Sequence, residues 1–356
     1  MNTKISDKGF ASVIYFISQA MFIKVGSTQI LNSAGNSSIY SILLGSIFSI
    51  IILFFLMRLF NYKKDLDLFK KIEVIYGKSI GSIINFVIFI LITFLFIYLL
   101  WDVNAYVQNK YLDNTPNYII LILFLIPTIW CANLDMKSIS KVSFSLFVIS
   151  VIMILFSATN LVKFIELNNF KPYFNTSFFI VIKNALVFTS YFITPIFMIL
   201  MTPKNTIENN KLLDQSIFKF SLLSTLNYLC IFIFIIGIFG IELSKIFSYP
   251  EYSLMKKINY FDFIQHIENI ATIQFLYCLF ISNVICLKFI KEYLIHTGLK
   301  NIIHFIIIIC FIASLFIFKN TTMGYEIVKH YFIYIYFIPI FILILISNIK
   351  IKRNKV

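Results

Sequence analysis

The residues with the most chemical potential lie in the second half of the first apolar stretch, residues 10–31. Four small or polar residues follow one another closely there: Lys24, Gly26, Ser27 and Thr28. A lysine well inside a membrane span costs roughly 2.5–3.5 kcal/mol and usually faces a bundle interior or a wet cavity. The adjacent glycine and hydroxyls would let the helix unwind and give its released backbone groups partners. These residues therefore predict a broken helix that contributes to a ligand-binding site, as in many transporters.

Lys24 has two alternative interpretations. In the first, the helix is continuous, Gly26 is a packing contact, and Lys24 snorkels to the membrane surface. Snorkelling is a poor escape, because Lys24 lies about seven residues, or roughly 10 Å, from the outer end of its span. In the second, Lys24 only ties helices together through carbonyl contacts. We expect instead that Lys24 faces a central cavity and can bind a ligand carboxylate.

A second candidate segment lies in the sixth apolar stretch, residues 178–202. Its polar residues are also candidate ligand contacts: Thr189, Ser190, Tyr191 and Thr194. Pro195 removes a backbone donor, and the neighbouring hydroxyls could cap the resulting half-helices. An ordinary proline kink is the simpler alternative. We predict breaks at Val25–Thr28 and at Thr189–Pro195, facing each other.

The composition fixes the class of protein that must position these residues. The chain has 356 residues, of which 60% are hydrophobic and 13% charged. This is more apolar surface than a soluble domain of that size can bury. Nearly charge-free windows recur along the sequence and predict an all-α polytopic membrane protein with about ten transmembrane helices. We place them near 10–31, 38–60, 80–105, 117–133, 139–160, 178–202, 216–242, 269–290, 301–318 and 325–348.

The ten predicted spans form one integral membrane domain, residues 1–356. If the first five spans repeat, inverted, as the second five, repeat one covers about 10–160 and repeat two about 178–348. Spans one and six are then equivalent, which is why interruptions in both would indicate a binding site.

The distribution of basic residues predicts the orientation. With the N-terminus inside, 20 of the 30 lysines and arginines fall on the cytoplasmic side, 7 on the other side and 3 within spans. Because cytoplasmic loops carry the excess of Lys and Arg, both termini are expected to be cytoplasmic.

Several kinds of chemistry have no residues to support them. No histidines share ligand spacing with a carboxylate, so we predict no metal site. No Ser/His/Asp or Cys/His set converges, and no phosphate-binding loop is present. We therefore expect neither an enzyme nor a cofactor. The net charge of +14 is spread over loops, which indicates orientation signals rather than a nucleic-acid surface.

The loop between spans seven and eight carries a family resemblance. It reads SYPEYSLMKKI from Ser248, followed by FDFI from Phe261 and by Glu268. Together with Ala34-Gly35 after the first span, this pattern resembles the spore germination permeases. These are the B subunits of nutrient germinant receptors, within the amino acid–polyamine–organocation superfamily.

The resemblance implies a LeuT-like fold of two inverted five-helix repeats, with a central pocket between spans one, three, six and eight. It implies that the protein senses a small nutrient such as an amino acid and so triggers germination. The implied partners are an A subunit with cytoplasmic domains and a C lipoprotein subunit, in the inner membrane of the spore.

The same loop predicts an outer lid over the pocket, in one or two short helices between Tyr249 and Ile267. Pro250 suits a first helical turn, and Glu251 would favour the helix dipole there. The predicted lid residues are Tyr249, Pro250, Phe261, Asp262, Phe263 and Glu268.

Three functions remain open at this point. The chain is a receptor subunit, a secondary transporter of an amino acid or amine coupled to protons or sodium, or a scaffold without a ligand. Fold alone does not separate them.

Overall fold

A computed structural model describes residues 4–257, 269–317 and 321–353. Across these ranges the regular structure is helical, apart from an isolated β-bridge between Ile5 and Ile207. The α-helices are α1 Asp7–Ala20, α2 Ser27–Ala34, α3 Ser38–Asn61, α4 Leu68–Tyr76, α5 Lys78–Lys110, α6 Asn117–Asn133, α7 Met136–Leu161, α8 Phe178–Ile196, α9 Asn210–Ile246, α10 Pro250–Met255, α11 Asn269–His296, α12 Ile303–Phe316, α13 Thr321–Phe332 and α14 Ile338–Arg353.

Seven helical segments of the described residues are long and apolar enough to cross a membrane. The first of them, Asp7–Asn61, includes α1 to α3 and turns at Gly35, whose φ of 54° suits a glycine. The shorter apolar helices α6 and α12 coincide with two further predicted spans. The chain is therefore an integral membrane protein, while the count of ten spans and the inverted repeat stay predictions.

Helices α1 and α8 lie at the centre of the bundle. Every residue of α1 from Gly9 to Ala20 is buried, and α1 contacts α7, α8, α9 and α11. In the most apolar 18-residue window of the span that contains α8, 94% of the residues are buried, against 17% for the span that contains α7. A helix that is apolar on every side is stable when other helices surround it. The two segments chosen from the sequence as candidate sites are thus both central.

The first span is interrupted close to the predicted place. Helix α1 ends at Ala20, a wide turn of π-helical type covers Phe22–Gly26, and α2 begins at Ser27. The non-helical residues are Ile23 (ψ 131°) and Lys24 (φ 71°, ψ −67°), while Gly26 has ordinary helical angles. The break therefore lies at Ile23–Lys24, just before the predicted Val25–Thr28.

The predicted break at Thr189–Pro195 is wrong. Helix α8 continues through these residues to Ile196 and then tightens into a 3₁₀ turn at Phe197–Met201. Pro195 stands in the last turn of α8, so its missing N–H costs the helix one hydrogen bond close to its end but does not divide it in the middle. The hydroxyls of Thr189 and Ser190 bond to carbonyls of their own helix, so they reinforce it instead of capping a gap.

Candidate ligand-binding site

Lys24 occupies a left-handed backbone conformation at the centre of the membrane domain. For a non-glycine residue this conformation costs of order 1–3 kcal/mol and persists only where surrounding contacts enforce it. The hydroxyls of Thr28 and Ser27 donate to the Lys24 carbonyl at 2.5 and 3.3 Å, so they satisfy an acceptor near the break. Gly26 is needed for a different reason: a Cβ there would lie 2.5 Å from the Phe22 ring.

The Lys24 side chain is held by two tyrosines. Its Nζ donates to the Tyr249 hydroxyl at 2.6 Å and lies 3.1 Å from the centroid of the Tyr325 ring. The Tyr249 ring centroid is 4.1 Å away. Lys24 is only 9% exposed, and cation–π contacts of desolvated cations contribute about 2 kcal/mol or more. The aromatic groups thus solvate an ammonium that hydrocarbon could not.

Asp102 completes a polar chain around this lysine. The Tyr325 hydroxyl donates to Asp102 Oδ1 at 2.8 Å, and the Tyr249 and Tyr325 hydroxyls are 3.2 Å apart. Asp102 is buried and attracts Lys24 across the tyrosines. Because buried charges are normally paired, Asp102 compensates for Lys24 through Tyr325. The chain joins four separate elements: the first-span break, α5, the start of α10 and α13.

A cavity of about 370 Å³ opens beside this polar chain. Lys24, Thr28, Tyr249 and Tyr325 contribute to its wall. Its other charged lining residues are Lys110, Lys245, Lys329 and Glu326. Glu326 is paired with Lys329 at 2.9 Å, so the remaining charge of the wall is positive. A cavity of one charge sign concentrates ligands of the opposite sign, here an anionic group.

The ligand contacts predicted on α8 do not meet Lys24. Thr189 donates to the carbonyls of Ala185 (2.8 Å) and Gly45 (3.1 Å), where α8 packs against α3. Ser190 donates to Val187, and the Thr194 hydroxyl is buried without a hydrogen-bond partner in the described structure. Tyr191 donates to Gln29 Oε1 on α2 at 3.2 Å, and its ring stacks on Phe332. Of the predicted residues, the structure brings Lys24, Thr28 and Tyr249 to the cavity.

The predicted outer lid is described only in part. Tyr249 precedes α10, a six-residue helix with Pro250 in its first turn, as the sequence indicated. Phe261, Asp262, Phe263 and Glu268 lie outside the described residues. Burial raises the pKa of the Glu251 carboxyl, while hydrogen bonds from the Ser27 hydroxyl and the Lys24 backbone N–H lower it. Helix α10 contacts the first-span break, and Glu251 lies in its first turn.

Sequence reasoning missed most partners of Lys24. Asp102 was not among the candidate residues, although a lone carboxylate in an apolar span is itself a functional signal. The chain has 20 tyrosines, and no sequence feature separates Tyr325 from the others. Among the residues with described side chains, no group of three or more His, Cys, Asp or Glu comes together as a metal site.

The chain belongs to the spore germination protein family, whose model matches residues 11–323. A comparison with curated proteins finds no match. Among solved structures, the chain is similar to the Eremococcus coleocola manganese transporter in complex with an aromatic bis-isothiourea substituted compound. That similarity has a TM-score of 0.51 at 10% identity and covers 97% of this chain and 75% of the transporter. A mutant of the same transporter gives 0.52 at 9% identity over the same shares. At these identities the likeness shows a transporter-type fold.

Proposed function

We propose that this chain is the membrane subunit of a germinant receptor that binds a small nutrient in the Lys24 cavity and so triggers spore germination. One observation carries the proposal. A chain of the spore germination protein family holds a buried lysine at a helix break, beside a cavity large enough for a small molecule.

The contacts of Lys24 favour a zwitterionic nutrient such as an amino acid. A ligand carboxylate would replace the Tyr249 hydroxyl at Nζ and would form a charge-assisted bond, which is about twice as strong as a neutral one. The positive wall of the cavity would draw the carboxylate in. The proposed site thus consists of Lys24, Thr28, Tyr249 and Tyr325, with Asp102 balancing the lysine.

The Lys24–Tyr249 hydrogen bond supports a route for the signal. Tyr249 belongs to the lid and Lys24 to the central helix, so one bond links the two. A ligand that takes the Tyr249 position would stabilise a different lid arrangement, and a ligand shifts an equilibrium only through such differential contacts. In this proposal the A subunit and the C lipoprotein read that change in the spore inner membrane, with both termini of this chain cytoplasmic.

Lys24→Met tests the proposed site, because methionine keeps the length of the side chain and removes its charge. Spores with this variant should need about 10- to 100-fold more nutrient for half-maximal germination, as expected for a lost charged contact. Lys183→Met is the matched control: the same change on α8, at an exposed position. It should leave the response unchanged.

A full response of Lys24→Met at an unchanged nutrient concentration, with normal assembly, would contradict the proposed site. If Lys24→Met assembles poorly because Asp102 is left unbalanced, the Lys24→Met/Asp102→Asn variant removes both charges and keeps the test open.

The similarity to a manganese transporter supports a second candidate function, secondary transport of an amino acid or amine coupled to protons or sodium. Purified protein in sealed vesicles with a pH or sodium gradient separates the two functions. Gradient-driven accumulation of a labelled amino acid would establish transport. Saturable binding without accumulation would favour the receptor.

A further inference from the structure

A small cavity of about 50 Å³ lies beneath the lid helix α10, apart from the larger Lys24 cavity. Its wall includes Gln19 of α1, Tyr106 of α5, Gln274 and Phe275 of α11, and the lid residues Glu251 and Tyr252. Tyr249 lines both cavities and so stands between them. The space exceeds the volume of about 10–15 Å³ that one ordered water needs.

The charged group of this small cavity is the Glu251 carboxylate. Glu251 as a residue is half-buried, but its Oε2 is shielded from solvent and has no hydrogen-bond partner within the described structure. The groups that lower the pKa of this carboxyl are neutral: the Ser27 hydroxyl and the backbone N–H groups of Lys24 and Glu251. Buried carboxylates are normally paired with a cation. No basic side chain supplies that partner in the ranges that the structure describes.

The rest of the cavity wall is also suited to a cation. Phe275 packs edge-on against Tyr106 with ring centroids 4.8 Å apart, and Tyr106 packs against Tyr249 at 5.1 Å. Tyr249 and Tyr252 already hold the Lys110 ammonium at 4.9 and 4.8 Å from their ring centroids. Aromatic walls with a carboxylate are a common way of binding ammonium groups.

We infer that the cavity under α10 binds a small monovalent cation of ammonium type, with Glu251 as its counter-charge and Tyr106 and Phe275 as its aromatic wall. Two sources share this chemistry: an inorganic ion, or the amino group of an organic ligand. The inference goes beyond the germinant role, and its test needs no germination response.

The competing explanation is that Glu251 serves only as a cap for α2. Glu251→Gln separates the two roles, because the amide oxygen can still accept from Ser27 and the Lys24 N–H while the charge is gone. Thermal unfolding of the purified full chain in lipid nanodiscs is the measurement. It is made in chloride salts of sodium, potassium, methylammonium and N-methylglucamine at equal ionic strength.

For the unmodified protein we expect the unfolding temperature in at least one small cation to exceed that in N-methylglucamine by about 2 °C or more. Glu251→Gln should unfold at the same temperature in N-methylglucamine and lose the rise. Glu242→Gln, an acidic residue that is 87% exposed at the end of α9, should keep it. A rise with sodium or potassium identifies an inorganic ion, and a rise with methylammonium alone identifies an organic amine.

Two results would overturn the inference: no salt-dependent rise in the unmodified protein, or the same rise in Glu251→Gln. If Glu251→Gln does not assemble, Glu251→Asp keeps the charge on a shorter side chain. It should then weaken the apparent cation affinity at least about tenfold, and an unchanged affinity would overturn the inference equally.

Discussion

The two central segments of this protein contain similar residues and have opposite structures. The first span breaks at Ile23–Lys24, whereas α8 runs unbroken past Thr189, Ser190 and Pro195. Both contain hydroxyl residues, both are buried, and both were predicted to break. The difference is that Lys24 has partners on three other elements, while the α8 hydroxyls find acceptors within one turn of their own helix.

This contrast shows that a helix break in a membrane needs external partners more than it needs helix-breaking residues. Unsatisfied backbone groups cost several kcal/mol in hydrocarbon, so a hydroxyl bonds to the nearest carbonyl where one is available. The Lys24 ammonium carries three N–H donors, so one bond to a nearby carbonyl would leave two of them without an acceptor. Tyr249, Tyr325 and Asp102 instead hold it beside the break.

Asp102→Asn is expected to have the largest effect on stability, because Asp102 balances the charge of Lys24 at the helix break. Removing one charge of a buried pair leaves the other uncompensated, and we expect about 3 kcal/mol less stability. Chemical unfolding of the purified protein measures this loss. The Lys24→Met/Asp102→Asn variant should recover more than half of it. Equal or greater instability of the double variant would show that the two charges do not balance each other.

Gly45→Ala tests the close packing of α3 against the continuous helix α8. A Cβ at Gly45 would lie 2.7 Å from the Ala185 carbonyl oxygen and 2.9 Å from the Phe188 ring, so α3 and α8 must move apart. We expect a loss of about 1–3 kcal/mol in the same unfolding assay. Ser46→Ala, one residue further along α3, is the control and should change stability by less than half as much.

Thr189→Val should have a smaller effect, which separates a structural role from a ligand-binding role. In the described part of the chain the hydroxyl bonds to two backbone carbonyls, and such bonds between membrane helices contribute about 0.6 kcal/mol on average. We therefore expect a slight loss of stability and an unchanged nutrient concentration for half-maximal germination. A tenfold shift in that concentration would assign Thr189 to the ligand site after all.

Pro195→Ala should have the smallest effect of the four. Alanine restores a backbone donor in the last turn of α8, but it also leaves a small void where the buried proline ring stood. These effects oppose each other, so the stability should change by less than about 0.5 kcal/mol. Hydrogen exchange should show α8 extending no more than one turn beyond Ile196. A large loss of stability would mean that the proline shapes the bundle.

The sequence alone determined the membrane class and the approximate place of the first break. These features follow from local quantities: the apolar length of a segment, and the cost of a charge within it. The proline and hydroxyls of the sixth span misled the same reasoning, because the sequence does not reveal which acceptor a hydroxyl chooses.

Only the tertiary structure decided what satisfies Lys24. Its hydrogen-bond partner Tyr249 is 225 residues away, and Tyr325 reaches Asp102 over 223 residues. Such pairings depend on how whole helices pack, which no local pattern records. The composition required only that a lysine at this depth be solvated by some group. The packing of the first span, α5, α10 and α13 determined that aromatic rings and one carboxylate solvate it, beside a cavity where a ligand can compete for the same ammonium.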